Sequence, residues 1–575
     1  MSFAAAACPA RRAARPAPPP DRRAPRRAAI ILPVTSAPAR STYWLTRFVI
    51  LRLIGFVYFF AFLSAALQIV PLIGRDGLLP VRPFLDRVAA QSGSATAGFA
   101  WLPSLFWIDA SDTTLVAVAW IGVVLSLVVL CGYANALIMT ALWALYFSFV
   151  SIGQDWYGYG WEIQLLETGA LAVFLCPLLD GRPFPRRPPP FVAILLFRWL
   201  AFRIMLGAGL IKIRGDQCWR DLTCLAHHYE TQPIPNPLSR TYHFMPMWFH
   251  RGGALFNHLV ELGSPWFVFG PRVARRIAGM LMVIFQLILI SSGNLSFLNY
   301  LTMVPALAAL DDGFLRRLLP GFVTRRADRA AARHAAETAP RVGDEAAAAE
   351  DGTAFVAWSP SRLVPHGAGA IAAATYALVV AVLSIDPVLN MLSSRQIMNT
   401  SFDRLHLVNT YGAFGSVGKE RHEIVFEGTR DDPPTDATRW KEYDFWCKPG
   451  APTRRPCVIA PFQPRLDWQI WFAAMARADR YPWTVHLIWK LLHNDAGALS
   501  LLSTNPFPDA PPLYIRSAYY RYEFAPPGNP EGLWWHRTFL GEWLPPLNAT
   551  DPRVLRLLQA YGWGDRVGTS SGPAR

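Results

Sequence analysis

The feature that most constrains this chain is a series of long apolar stretches. Nine runs of about 17 to 25 predominantly apolar residues follow one another with short separations, at 48–73, 113–130, 135–151, 161–179, 191–213, 253–269, 276–292, 295–310 and 367–385. About 20 apolar residues is the length that a helix needs to cross the hydrocarbon core of a bilayer. The sequence therefore predicts a membrane-embedded, all-α polytopic bundle of about nine transmembrane helices.

The composition agrees with a membrane setting and argues against nucleic acid as a partner. Hydrophobic residues make up 52% of the chain and charged residues only 17%, whereas soluble domains carry roughly 25% charged residues. The formal net charge is +15. The arginines cluster in short loops between apolar runs and form no amphipathic stripe of the kind that follows a nucleic-acid backbone.

The distribution of arginine predicts which side of the membrane each segment occupies. Residues 1–43 form an Arg/Pro/Ala-rich tail with Asp21 as its one acidic residue, and we expect this tail to be disordered and cytoplasmic. The basic loops 181–190 and 270–276 then fall on the cytoplasmic side, as does a solvated linker at 311–366. Residues 44–310 form the bundle, the opening loop 213–252 lies on the opposite side, and 367–386 is the last transmembrane helix.

A domain of different character follows the last apolar run. The segments 422–429 and 519–525 alternate aromatic and β-branched residues as strands do, whereas 467–476 and 483–492 have helical periodicity. We interpret 391–563 as a mixed α+β domain on the extracytoplasmic or luminal side, followed by a disordered tail at 564–575.

The cysteines provide an independent test of this orientation. Cys218 and Cys224 lie in the opening loop, and Cys447 and Cys457 lie in the terminal domain. All four fall on the side where disulfides persist, which favours two local bonds, Cys218–Cys224 and Cys447–Cys457. Free thiols are the alternative. The spacing within each pair exceeds the usual zinc-ligand spacing, and no metal is predicted.

Several long motifs identify a family. They are "GAGLIKIRGDQCWRDLTCLAHHYETQPIPNPLS" (207–239), "SGNLSFLNYLTMVP" (292–305), "NTYGAFGSVGKER" (409–421) and "RRPCVIAPFQPRLDWQIWFAA" (454–474). These strings resemble the lipase maturation factor family, whose members include bacterial proteins. The resemblance implies a multi-pass protein of the endoplasmic reticulum membrane, or of the inner membrane in a bacterium. It implies a chaperone-like role in the folding and dimer assembly of secreted lipases, with no cofactor.

Under that interpretation the opening loop and the terminal domain contact the client protein. The candidate contacts are Trp219, His227, His228, Tyr229, Glu230, Trp468 and Trp471. The prolines of 230–237 favour an extended rim that offers its backbone to a partner. The helical spacing of Trp468 and Trp471 favours core packing over client contact.

Charged residues inside the apolar runs are candidates for an intramembrane ion pair. Glu167 lies in the fourth run, and Arg198 and Arg203 lie in the fifth. Because charges in hydrocarbon are costly, we expect Glu167 to pair with Arg198 or Arg203. A substrate or proton site is the alternative.

A second function is compatible with the fifth run. Gly209, Lys212 and Trp219 are distantly similar to the transmembrane domain of vitamin K-dependent γ-carboxylases. A membrane enzyme of that kind would use Lys212 as a base, with His258 or Glu261 as an auxiliary group. A structural subunit of an envelope complex is a third possibility. The maturation-factor interpretation, without catalysis, is the one that the motifs favour.

Overall fold

The structure is a computed structural model that describes residues 42–338 and 368–563. Most of the predicted N-terminal tail, the linker residues 339–366 and the predicted C-terminal tail 564–575 lie outside the described residues. The thiol of Cys8 lies outside them as well.

The described chain is helical up to residue 392. The helices are α1 (Trp44–Ile73), α2 (Val81–Ser92), α3 (Ala95–Trp101), α4 (Asp112–Cys131), α5 (Ala136–Ile152), α6 (Gly160–Val173), α7 (Phe191–Arg214), α8 (Gln217–Arg220), α9 (Leu225–Thr231), α10 (Pro237–His243), α11 (Met247–His258), α12 (Ser264–Phe267), α13 (Arg272–Ser292), α14 (Leu298–Ala306), α15 (Asp312–Leu315), α16 (Gly321–Thr338), α17 (Ala368–Leu383) and α18 (Ile385–Leu392). A π-helical turn, Leu259–Gly263, joins α11 to α12.

Five helical segments in the described ranges are long and apolar enough to cross a membrane. They are α1, α4, α7, α13 and the continuous run Ala368–Leu392 that contains α17 and α18. The other four predicted spans form shorter or interrupted helices, so length alone supports five spans instead of about nine. Prolines accompany two of these interruptions: Pro265 lies in α12 directly after the π turn, and Pro305 lies near the end of α14.

Helix α1 is the central element of the bundle. Its first turn has no capping side chain of its own. The carboxylate of Asp312 accepts hydrogen bonds from the backbone N–H groups of Trp44 (2.9 Å) and Leu45 (2.8 Å). A negative charge at a helix N-terminus satisfies donors that the helix itself cannot pair. Further along α1, Gly55 packs so closely on α4 that a Cβ would lie 2.9 Å from the backbone nitrogen of Leu130.

The described part of the predicted cytoplasmic linker is folded. Residues 321–338 form α16, and the side chains of Val323, Ala327 and Ala330 are buried in the same core as α1. Their spacing of four and three residues places them on one helix face. The sequence predicts a solvated linker here, and the structure adds that one narrow apolar face of α16 packs on the bundle while its arginines are exposed.

The C-terminal region contains a four-stranded antiparallel sheet, as the strand patterns predicted. The strands β1 (Arg421–Thr429), β2 (Lys441–Glu442), β3 (Tyr514–Phe524) and β4 (Trp535–Leu547) lie in the order β2-β1-β3-β4. Strand β1 pairs with β3 from Arg421↔Tyr522 to Thr429↔Tyr514. The accompanying helices are α19 (Arg465–Ala474), α20 (Trp483–Leu491), α21 (Ala496–Ser500) and α22 (Pro552–Tyr561).

The C-terminal domain docks on the C-terminal half of α1 through the start of α19. The Gln68 amide of α1 donates to the Gln463 carbonyl (2.8 Å) and accepts from the Arg465 backbone N–H (2.9 Å). One continuous apolar core runs from the bundle into this domain. The two regions therefore share a rigid boundary.

Candidate functional site

The opening loop is folded and covalently closed. Residues 217–243 form α8, α9 and α10, and a disulfide joins Cys218 to Cys224. The carboxylate of Asp216 accepts the Cys218 backbone N–H (3.2 Å) and begins α8. The loop is thus a compact cap on the end of α7.

Trp219 anchors this cap to the segment that precedes β1. Its indole N–H donates to the Phe414 carbonyl (2.8 Å), and its side chain is only 2% exposed. The Asp216 backbone N–H donates to the Gly415 carbonyl (3.0 Å). Backbone and side-chain bonds together attach the loop to the C-terminal region.

The two sulfurs of the loop and the Asp216 carboxylate lie within 4.8 Å of one another. That arrangement resembles a metal-ligand set in residue type. Because both sulfurs are joined in the disulfide, neither offers the thiolate that metal ligation needs.

Arg421, the first residue of β1, organises the contact between the loop and the sheet. Its fully buried guanidinium donates to the carbonyls of Glu230 (2.9 Å), Gln232 and Pro233 (2.8 Å). It also pairs with Glu423 (2.6 Å), which in turn pairs with Lys448 (2.9 Å). A proline-rich segment has few backbone N–H groups, so its carbonyls need donors from elsewhere. The guanidinium of an arginine carries several N–H donors and can bind more than one of these carbonyls.

Further hydrogen bonds hold the opening loop against the C-terminal domain. The Glu230 carboxylate accepts the Phe524 backbone N–H (2.7 Å), and the Trp471 indole donates to the Thr231 carbonyl (3.1 Å). Burial raises the pKa of Glu230, whereas the bond from Phe524 and the charge of Arg421 lower it. The net effect is a raised pKa for Glu230.

The second disulfide, Cys447–Cys457, lies beside the connection between α13 and α14. In that connection the side chain of Asn294 donates to the Cys457 carbonyl (3.0 Å) and accepts from the Ile459 backbone N–H (2.9 Å). Asn294 is 2% exposed. It therefore tethers the disulfide-bonded segment to the bundle.

Buried charge pairs continue the boundary into the bundle. Glu167 of α6 pairs with Arg203 of α7, and it also accepts from the Tyr411 hydroxyl (2.6 Å) and the Asn409 backbone N–H (3.0 Å). Arg203 donates in addition to the Asn409 carbonyl (2.7 Å). The segment from Asn409 to Tyr411 is thus inserted between two bundle helices.

Arg198 does not contribute to that pair. Its guanidinium donates to the Ala308 carbonyl (2.9 Å) and to the Tyr43 hydroxyl (2.8 Å). Arg198 lies five residues before Arg203, and this separation places the two side chains on different faces of α7. Of the two predicted partners of Glu167, the structure places only Arg203 against it.

A third charge pair is one that the sequence did not indicate. Glu162, in the first turn of α6, pairs with Arg465 of the C-terminal domain (2.9 Å) and accepts from the Tyr146 hydroxyl. Both charged groups are fully buried. They are 303 residues apart in the sequence, so no local pattern could have linked them.

Lys212 and Glu261 form a fourth pair at the end of α7. The Lys212 ammonium contacts both oxygens of the Glu261 carboxylate, at 2.5 and 2.7 Å, and Asn257 donates to Glu261 (3.0 Å). His258 instead approaches the Trp219 carbonyl (2.9 Å). Of the three residues considered for a membrane enzyme, Lys212 and Glu261 are thus paired with each other, whereas His258 contacts Trp219.

A close helix crossing makes the Lys212–Glu261 contact possible. A Cβ on Gly209 would lie 2.6 Å from the Leu262 side chain and 3.1 Å from Glu261. Glu261 itself lies in the π turn, which changes the direction of side chains relative to a regular helix. The glycine and the π turn together bring the two charges into contact.

Most of the predicted client contacts are not on the surface. Trp219, His228, Tyr229, Glu230 and Trp468 are each less than 9% exposed. Trp468 packs on Tyr159 and Trp161 of the bundle. The other four are buried within the opening loop or against the C-terminal region, so a client cannot reach these side chains in this conformation. His227 and Trp471 are partly exposed.

The exposed apolar side chains of the loop lie further along, where sequence reasoning did not place them. We define the apolar rim as Phe244, Met245, Met247 and Trp248, whose exposures are 43%, 37%, 44% and 74%. Phe244 and Met245 lie between α10 and α11, and Met247 and Trp248 begin α11. The string "FMPMW" could have indicated this exposed surface. A short turn has little core of its own, so it does not need several large apolar residues around a proline.

Histidine ionisation is suppressed at the boundary. Burial, together with the smaller effect of the nearby Lys212 charge, lowers the pKa of His228 to about 4. Burial likewise lowers the pKa of His243 to about 4. Both imidazoles are therefore neutral at neutral pH.

Replacing Arg421 with methionine should loosen the opening loop. The three carbonyls would lose their donor and Glu423 would lose one of its two cations, at a cost of about 3 kcal/mol. We expect a lower unfolding temperature of the detergent-solubilised protein and faster tryptic cleavage within 220–240. Arg439→Met, at an exposed arginine of the same domain, is the matched control. Equal cleavage rates in both variants would contradict the role assigned to Arg421.

His228 should make the protein less stable in acid. Its pKa in the folded chain is about 4, below the ordinary value of about 6.5. The folded state therefore binds fewer protons, so the stabilisation is complete above pH 6.5 and is lost as the pH falls. Between pH 7 and pH 5, the free energy of unfolding should fall by about 2 kcal/mol more in the unmodified protein than in His228→Gln. Thermal unfolding at both pH values measures this difference, and His493→Gln, at an exposed histidine, should behave like the unmodified chain.

Comparison with known protein families connects this architecture to known proteins. A family model described as "Lipase maturation factor transmembrane domain" matches residues 45–317, and one described as "Lipase maturation factor C-terminal domain" matches residues 407–545. The matched regions contain both sides of the loop-domain boundary. No solved structure matches the chain.

Individual relatives align over nearly the whole chain. Lipase maturation factor 1 of Bos taurus is 46% identical over 535 residues, which cover 90% of this chain and 92% of the relative. The Homo sapiens protein of the same name is 46% identical over 529 residues, 89% of each chain. Lipase maturation factor 2 of Mus musculus is 29% identical over 603 residues, 89% of this chain and 84% of the relative. With its membrane helices and its C-terminal sheet domain, the chain is a multi-pass membrane protein that belongs to the lipase maturation factor family.

Proposed function

We propose that this protein is a membrane-anchored maturation factor that assists the folding and dimer assembly of secreted lipases without itself catalysing a reaction. The observation that carries the proposal is 46% identity with Lipase maturation factor 1 over nine-tenths of the chain. Its compartment would be the endoplasmic reticulum membrane in an animal cell, or the inner membrane in a bacterium.

Contacts at one end of the bundle support nine crossings. Asp312, after α14, binds the first turn of α1, and its neighbour Asp311 pairs with Arg275 (3.0 Å) and with Arg276 in the first turns of α13. The starts of α1 and α13 and the end of α14 therefore lie together. The basic loops make this the cytoplasmic end by the positive-inside rule.

Contacts at the other end support the same count. Asn294, between α13 and α14, binds the Cys457 segment, and Arg421 binds the loop that follows α7. Helix α14 must therefore return across the bundle although it is short, and the run from α11 to α12 must cross as well. Nine crossings place the C-terminal domain and both disulfides on the side away from the cytoplasm, where disulfides persist.

The apolar rim is the surface that we assign to the client. It is exposed, it belongs to the disulfide-closed cap, and it contains two methionines, whose flexible side chains adapt to varied apolar surfaces. A partly folded lipase exposes apolar surface that a rim of this kind would cover. The buried boundary beneath it would hold the rim in place.

The Lys212–Glu261 pair favours a structural role for Lys212, the residue that a membrane enzyme would use as its base. The Lys212 ammonium donates to both oxygens of the Glu261 carboxylate, so its N–H groups are directed at a partner within the chain. Helix pairing explains the burial of both groups without a substrate.

Changing the rim should reduce lipase maturation while the protein stays folded. We expect Met247→Ser/Trp248→Ser to lower the activity of a co-expressed secreted lipase at least several-fold in cells that lack their own factor. Removing exposed apolar area should leave membrane levels of the variant unchanged. Phe539→Ser, at a half-exposed aromatic on β4, is the control. Normal lipase secretion with the rim variant would overturn the assignment of the rim.

A paired substitution separates a structural lysine from a catalytic one. Lys212→Met alone leaves the Glu261 charge buried and should destabilise the protein by about 3–5 kcal/mol, whereas Lys212→Met/Glu261→Leu should recover most of that loss. We expect the double variant to support lipase secretion at close to the normal level. A stable double variant without function would instead favour the membrane-enzyme interpretation. Thermal unfolding and secreted lipase activity are the two measurements.

A further inference from the structure

Two separate segments beside the C-terminal end of α5 expose large apolar side chains. The first is α3 with the turn that follows it, and the second lies between α18 and β1. We define the apolar collar as the following side chains of these segments, which are 41–87% exposed: Phe99, Trp101, Leu105, Ile108, Phe402 and Leu405. The collar shares no residue with the apolar rim or with the long apolar helices.

The first segment packs on the last turns of α5. The Ser104 hydroxyl donates to the Ser148 carbonyl (3.0 Å), and the Leu105 backbone N–H donates to the Ser148 hydroxyl (3.1 Å). Ser148 lies four residues before Ile152, the last residue of α5, which is about 6 Å along the helix axis. The segment therefore reaches back along α5, toward the middle of the bundle.

The second segment lies at the same level of the bundle and contacts the first. The His406 ring lies 5.9 Å from the ring of Phe147, the neighbour of Ser148 in α5. The Arg404 guanidinium donates to the Ala100 carbonyl of α3 (3.4 Å). Both parts of the collar are thus attached to each other and to the same end of α5.

Helix α3 has almost no packing of its own. Of its seven residues, Ala95–Trp101, only Gly98 is buried, and the others are exposed. Gly98 lies so close to Trp107 that a Cβ would be 2.6 Å from the indole ring. Because an isolated helix of this length is marginal in water, α3 needs surroundings that cover Phe99 and Trp101.

The collar adjoins a helix surface that faces lipid. Ile108, its most exposed side chain, lies four residues before Asp112, where α4 begins. Helix α4 is one of the long apolar helices, and it exposes Trp120, Ile121 and Val124. Exposed apolar side chains on a membrane-spanning helix are covered by lipid. The chain thus passes directly from the collar into a lipid-facing helix.

We propose that the apolar collar is inserted into the interfacial layer of the bilayer leaflet on the side away from the cytoplasm, with α4 and α5 crossing as proposed above. Short amphipathic helices bury their apolar side chains about 5–10 Å into the boundary between headgroups and acyl chains. Tryptophan is enriched in that layer. A client protein is the less suitable partner, because lipid surrounds the bundle at the level of the last turns of α5. Insertion of Phe402 and Leu405 would hold the start of the C-terminal region against the membrane surface.

Site-directed labelling in lipid vesicles tests the insertion. The full chain, with Cys8, Cys131 and Cys176 replaced by serine, carries Ile108→Cys or Phe402→Cys coupled to an environment-sensitive fluorophore. It is reconstituted without a client in phosphatidylcholine vesicles, with iodide on both sides of the membrane. Lipid that bears a nitroxide near its headgroup should quench both labels. Iodide should quench them several-fold less than a label at Phe539→Cys, an exposed phenylalanine of β4.

The two quenchers distinguish lipid from a protein partner. Strong quenching by iodide at Ile108 and Phe402, without quenching by the nitroxide lipid, would place the collar in water. That result would overturn the proposal and indicate a surface kept for another protein. Because the vesicles contain no client and no lipase activity is measured, this outcome is independent of the proposed role in lipase maturation.

Stability in detergent provides a control for folding. Ile108→Cys and Phe402→Cys replace exposed side chains, so before labelling both variants should unfold at the same temperature as the parent chain. A large decrease in both would mean that these side chains pack within the chain, and it would contradict insertion into lipid.

Discussion

The pairing of buried charges at the boundary between the helical bundle and the C-terminal domain is the constraint on which the rest of this structure depends. Glu162–Arg465 and Glu167–Arg203, with Asn409 and Tyr411, join the two regions, and Arg421 binds the opening loop. A charge left unpaired in such surroundings is strongly destabilising. The boundary is therefore specific, because a shifted register would separate several pairs at once.

This boundary changes the role of the opening loop. A loop rich in aromatic and titratable side chains between two membrane helices suggests a contact surface. In the folded protein most of those side chains face inward: Trp219 binds the Phe414 carbonyl, and Glu230 binds the Phe524 N–H. The backbone carbonyls of the loop bind the C-terminal domain of the same chain. What it leaves exposed is the apolar rim, which fits a role in covering the apolar surface of another protein.

The arginines of α1 show the opposite situation. Whereas the pairs at the boundary are satisfied within the chain, the guanidinium groups of Arg47 and Arg52 lie over aromatic rings, and among the described residues they bind a single backbone carbonyl.

The sequence by itself determined the membrane class, the family, the helical character of the apolar runs and the strands of the C-terminal sheet. These features follow from local composition and periodicity, which need no knowledge of distant contacts. The pairing of Cys218 with Cys224 and of Cys447 with Cys457 was also predictable, because each pair is close in the chain. Only the tertiary structure decided that Glu167 meets Arg203 and not Arg198, that Glu162 meets Arg465, and that Trp219 and His228 are buried. It also decided that α16 packs on α1 and that Lys212 is paired with Glu261. These outcomes depend on helix rotation, on a π turn and on contacts across hundreds of residues, which a linear pattern does not encode.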